Sequence, residues 1–157
     1  MANMCAFQMK VVGEKSHVDQ FVSALEQKGK FCMGRGGVID VEDDFDGGSI
    51  LYGKVKWSLL SSLIEDAVSM REQKESGKGL WMNNDGFIDN HEFVTLPEAS
   101  KRFDVDVEAY STEPECAFKE HILVKKGVIV IDDCVPYQEI WFDAYANYEE
   151  FSECCTN

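Results

Sequence analysis

Oxygen donors between Asn83 and Glu92 make the one stretch whose residue types and spacing match a known chemistry. Asn83, Asp85, Ile88, Asp89 and Glu92 are set around Gly86 at the intervals of a calcium loop, where alternate oxygens surround the cation and a glycine makes the sharp turn. Asn83, Asp85, Asp89 and Glu92 are therefore the candidate metal ligands. Against that chemistry, Trp81 stands where the first aspartate is needed, Gly77 and Gly79 interrupt an entering helix, and Pro97 limits the exiting one. A turn between two strand-like pieces accounts for the same residues, so no metal and no other cofactor is expected.

A second set of carboxylates is defined by charge. The 157 residues carry 29 acids and 15 bases, a formal net of −14, and after Lys126 there is no Lys or Arg at all. Asp132, Asp133, Glu139, Asp143, Glu149, Glu150 and Glu153 follow that last base. Upstream, Asp104, Asp106 and Glu108 alternate with Phe103, Val105, Val107 and Ala109, the period-2 pattern that puts three acids on one face of a strand. Rows of carboxylates at strand spacing can imitate backbone phosphates and draw in a groove lined with Lys and Arg. Asp104, Asp106, Glu108, Asp132, Asp133, Glu139, Asp143, Glu149 and Glu150 are the expected partner-binding residues. Direct nucleic-acid binding is disfavoured, because that contact needs bases to displace counterions. The partner expected is a basic host protein that itself binds nucleic acid.

Nucleophilic chemistry finds no support, and the chain is not expected to be an enzyme. There is no GxSxG elbow, no HExxH and no GxxxxGK[ST], and the Gly34–Gly37 loop lacks the following Lys and Ser/Thr of a phosphate cradle. Cys116 and His121 are five apart on one strand and so project to opposite faces. Six cysteines without CxxC pairs read as reduced thiols, with Cys5, Cys32, Cys116 and Cys134 acting as small buried hydrophobes. No apolar run approaches the ~20 residues of a membrane span, and a cytoplasmic location is expected.

These side chains must be positioned by an α+β arrangement in one domain, residues 1–157, read as an N-terminal half over about 1–76, a loop over about 77–94 and a C-terminal sheet half over about 95–157. A strand over Cys5–Val12 leads into a helix from Ser16, whose Ser16 and Asp19 approximate a capping box and whose C-terminus Gly29 closes. Phe31–Met33 and Val38–Val41 flank Gly34–Gly37 as a hairpin, and the acidic tract from Glu42 to Gly48 is a turn. Ile50–Trp57 is a strand, Ser58 caps a helix carrying Leu59, Leu60, Leu63, Ile64, Ala67, Val68 and Met70, and the polar run from Arg71 breaks it. Thr95, with Glu98 three residues on, caps a short third helix. Phe103–Ala109, Cys116–Val124, Val128–Ile131 and Tyr137–Phe142 are strands, with a three-residue hairpin loop at Lys125, Lys126 and Gly127. Pro136 ends the pairing.

The stretches MANMCAFQMKVVG, SHVDQFVSALEQ, LYGKVKWS and EPECAFKEHILVKKGVIVIDD resemble the YubB-type ferredoxin-like family of phage- and plasmid-borne proteins. That resemblance implies a ferredoxin-like fold, an antiparallel sheet with helices packed on one face, and a mobile-element origin. It brings no established activity and no iron–sulfur cluster. The expected function is a small acidic inhibitor or modulator of a host protein, nucleic-acid-mimicking and of the anti-defence (anti-CRISPR-like) kind. The alternative is a small-ligand or calcium module centred on residues 83–92.

Overall fold

A computed structural model describes residues 4–28, 30–33, 38–45, 47–77, 91–113 and 116–136. Its centre is β1 (Met4–Val12), in which Cys5, Phe7, Met9 and Val11 are fully buried on one face while Gln8 and Lys10 alternate with them on the other. That alternation forces the strand, since only period 2 sorts these residues onto two faces. Helix α1 (Lys15–Leu25) then buries Val18, Phe21 and Leu25 at helical spacing against it. Phe21 is among the largest fully buried side chains, and its removal from water contributes roughly 1.5–3 kcal/mol. The expected capping box does not form. Glu14 is the N-cap, and Ser16 Oγ donates to its carboxylate at 2.8 Å. At the other end Gln27, at φ 59°, takes the left-handed position expected of Gly29, which lies outside the described residues.

The next segment departs most from expectation. Phe31–Cys32 (β2) does not turn back on the following strand; it pairs in parallel with Glu92–Phe93 (β5), sixty residues on in the chain, in register Phe31 with Glu92 and Cys32 with Phe93. The following strand, β3 (Val38–Phe45), instead pairs antiparallel with β4 (Gly48–Lys56). The acidic tract from Glu42 is therefore strand as far as Phe45, bulged between Val41 and Asp43, and the turn shrinks to its end, where Gly47 has φ 91°.

Ser58 does cap the second helical segment, its Oγ accepting the Ser61 N–H at 3.0 Å. One π-helical turn, Ser61–Glu65, passes into α2 (Asp66–Glu75), with Leu59, Leu63, Ala67 and Met70 buried and Leu60 and Ile64 half-buried, whereas Val68, expected on the apolar stripe, faces solvent. The polar run from Arg71 stays helical to Glu75, about one turn beyond expectation, and ends where Gly77 reaches φ 67°. Helix α3 (Leu96–Arg102) forms as read: Thr95 Oγ1 accepts from Glu98 N, and the Glu98 carboxylate accepts from Thr95 N at 2.8 Å.

Phe103 and Val105 are core residues of the turn that leaves α3, so β6 starts later than expected, at Asp106, and runs to Glu113. It is followed by β7 (Phe118–Lys125) and β8 (Val128–Pro136), paired antiparallel with Lys125 opposite Val128. The loop between them has two residues, not three. Lys126 at φ 46° and Gly127 at φ 87° are both left-handed, the geometry of a type I′ hairpin. Pro136 is itself paired, opposite Phe118, and is the last of the described residues.

Among the described residues six long strands form one antiparallel sheet in the order β3-β4-β1-β6-β7-β8. On one face Phe7, Met9 and Val11 of β1, Leu51 and Val55 of β4, Val107 and Ala109 of β6, and Ile122 and Val124 of β7 join buried residues of α1, α3 and the segment Leu59–Leu63 in a continuous core, while Met70 of α2 packs with Cys32 and Phe93 in a smaller cluster. The α+β class read from the sequence is thus the class observed. Tyr137–Phe142 and the acidic tail beyond it lie outside the described residues.

Candidate functional site

The carboxylates expected to line up along β6 do not form one exposed row. Asp104 precedes the strand at φ 54°, and its carboxylate pairs with Lys126 Nζ at 3.0 Å. Asp106 Oδ1 accepts the Lys126 N–H at 3.2 Å, tying β6 to the β7–β8 turn. Glu108 is fully buried, which corrects its expected outward position. Its Oε1 lies 2.8 Å from His121 Nε2 and accepts from the Tyr110 hydroxyl at 3.2 Å, while the Tyr110 and His121 rings stack at 4.2 Å. The register explains the cluster, since Tyr110 and His121 are directly opposite on β6 and β7.

Asp132 and Asp133 are exposed on β8, the outermost strand on that side among the described residues. Being adjacent on a strand, they point to opposite faces: Asp132 is opposite Ile122 on the face of the core, and Asp133 is opposite His121 on the other. Glu139, Asp143, Glu149 and Glu150 lie outside the described residues, as do Asn83, Asp85 and Asp89. Glu92, the last candidate calcium ligand, is in β5, with its Oε1 2.8 Å from Arg102 Nη2. Among the described residues, no group of three or more His, Cys, Asp or Glu is placed to hold a metal ion.

Two polar constellations escape the sequence reading. Glu120 on β7 is buried, and its Oε2 accepts the Leu59 N–H at 2.8 Å and the Ser111 hydroxyl at 2.5 Å. The carboxylate caps the second helical segment from across the sheet. A signal for it exists, because Glu120 is in phase with the apolar positions Phe118, Ile122 and Val124. An acid in the buried phase of a strand needs donors waiting for it.

The second is an open cleft of about 1090 Å³ between α2, β5 and α3. Arg71, Lys74, Lys101 and Arg102 line it, yet three of these cations are engaged: Arg71 with Glu98 at 2.5 Å, Lys74 with the His91 carbonyl at 2.7 Å and Arg102 with Glu92. Beside it Cys32 Sγ lies 3.2 Å from His91 Nδ1. That contact has the reach of a nucleophile and base but not the chemistry. Cys32 is fully buried, and burial pushes its thiol up to about 11, so the reactive thiolate is scarce. Cys5 is likewise enclosed, with burial pushing it up to about 12. Cys116 and Cys134, expected to be buried, are exposed, the first in the turn before β7 and the second on β8.

In comparison with known proteins, the chain matches no family model, no curated protein and no solved structure. No helix of the described residues is long and apolar enough to cross a membrane.

Proposed function

We propose that this protein is a small acidic modulator of a basic host protein, carried by a mobile element and occupying a surface that otherwise holds nucleic acid. Its architecture is read as ferredoxin-like, of the YubB type. The order β3-β4-β1-β6, with α1 on the path from β1 to β3 and α2 and α3 on the path from β4 to β6, supports that reading, with β7 and β8 appended at one edge. The observation that carries the functional reading is β8. In a chain of net charge −14, Asp132 and Asp133 are exposed on an outer strand that has no base, and neither enters an ion pair among the described residues. Such charges lower the free energy of approach of a Lys/Arg-rich surface and are screened by salt.

The test is a set of neutralising substitutions, Asp132→Asn, Asp133→Asn, Glu139→Gln and Asp143→Asn, made together. Far-UV circular dichroism should be unchanged, and capture of a purified basic nucleic-acid-binding protein should weaken at low salt, the difference from the parent shrinking as salt rises. Equal capture by the two at low salt would make the acidic surface a solubilising one only.

A further inference from the structure

We infer that the outer edge of β8 is a strand-addition site for an extended partner segment carrying two consecutive basic residues flanked by apolar ones. This inference rests on the reading of the protein as an acidic modulator and says which surface does the work. Four of the large apolar side chains most open to solvent belong to this one strand: Val128 at 63% exposure, Ile129 at 41%, Val130 at 54% and Val135 at 52%. A strand pairs on two edges. β8 gives one edge to β7, and among the described residues nothing pairs with the other. An exposed apolar strand at the edge of the described sheet is a template for a further strand, whose backbone supplies the hydrogen bonds and whose alternate side chains supply specificity.

The sheet's opposite edge shows what a guarded edge looks like in this chain. There β3 is bulged between Val41 and Asp43, and its Asp40 is exposed. By contrast, β8 keeps its first half, Val128–Ile131, free of charge and confines its acids to Asp132 and Asp133.

Charge and register then choose the occupant. Because Asp132 and Asp133 are neighbours on opposite faces, an added strand meets one carboxylate on each face at consecutive residues. Two consecutive Lys or Arg satisfy both, and apolar residues on either side cover Ile129, Val130 and Val135. A second copy of this chain is a poor occupant, because pairing β8 with itself over its full length sets Asp132 against Asp132, which destabilises.

The probe is a synthetic peptide as long as β8, with two central lysines flanked by valines, compared with its diglutamate counterpart and with a form N-methylated at alternate backbone nitrogens. Binding is read by fluorescence anisotropy, and the docking place by amide hydrogen exchange. The dilysine peptide should bind about tenfold or more tighter than the diglutamate one, slow exchange along Val128–Val135, and lose binding on N-methylation. Asp132→Asn with Asp133→Asn should abolish most of the charge preference. Undiminished binding of the N-methylated peptide, protection elsewhere than β8, or binding by no peptide overturns the inference. So does a peptide-free dimer, seen in sedimentation, that protects β8 by itself. Capture of a basic host protein while β8 amides exchange freely overturns strand addition and leaves the acidic-modulator reading standing. Peptide docking on β8 with no salt-sensitive capture of basic proteins overturns that reading alone.

Discussion

Glu120 Oε2 on β7 stands 2.8 Å from the Leu59 backbone nitrogen, so the first turn of a helical segment is closed by a carboxylate from a strand far away in the chain. The negative charge faces the positive end of the helix and leaves no buried acceptor idle. Glu120→Ala should cost about 2–4 kcal/mol, because it strands buried donors as well as losing the charge. Glu120→Gln, which keeps an acceptor oxygen, should cost about half as much. Urea unfolding of the two variants measures the difference, and equal costs would deny the cap its electrostatic part.

Glycine 127 is required for two reasons that can be separated. Gly127 sits at φ 87°, and an added Cβ would also lie 2.6 Å from Lys101 Cβ on α3. Gly77, at φ 67°, has open space around it. Gly77→Ala should therefore cost about 1–2 kcal/mol from backbone strain alone, and Gly127→Ala clearly more. If thermal melts rank the two alike, the hairpin turn does not press on α3 as described.

Glu98 links stability to acid. Burial works to raise its carboxyl, but the Arg71 guanidinium and the Thr95 N–H outweigh it and hold the group below its ordinary value of 4.5. In the folded chain it thus releases its proton more readily than in the unfolded one. Its contribution is present above the unfolded value and is lost as pH falls through the lower, folded one. The stability difference between the parent and Glu98→Gln should be constant near neutrality and vanish progressively below about pH 4.5. A difference that grows on acidification would reverse the assigned sign.

Thiol accessibility divides the four cysteines among the described residues. Cys116 and Cys134 are exposed and Cys5 and Cys32 are enclosed, so maleimide should label the first pair in the native protein and the second pair only in denaturant. Peptide mass spectrometry reads out each site. Labelling of Cys32 at the native rate would mean that the Cys32–His91 contact opens readily to solvent.

What could be read from the sequence was local. The Thr95–Glu98 capping box, the Ser58 cap and the hairpin before Val128 each depend on residues a few positions apart, whose preferences no distant contact overrode. The pairing of β2 with β5 was not legible, because two residues of strand carry no period and their partners are a long way off in the chain. Glu108 was misplaced for a related reason. Alternation correctly assigns it to the face away from the helices, but only the register that brings Tyr110 and His121 beside it decides that this face is closed there. The strand-like pattern of β8 was visible, whereas its exposure was not, since Val128–Ile131 has the composition of a buried strand.

The position of β1 in the middle of the sheet has a consequence for synthesis. Its two neighbours are β4 and β6, and the whole of residues 13–105 separates it from the second, which it meets with Val12 opposite Asp106 and Ala6 opposite Thr112. As the chain leaves the ribosome, β1 can gain β4 while its other side still waits for residues not yet made. During that interval a strand whose Cys5, Phe7, Met9 and Val11 are all fully buried in the finished fold is an open edge, and closing it late, over a long loop, is a slow step. Productive folding of the nascent chain is therefore set by how quickly β6 arrives.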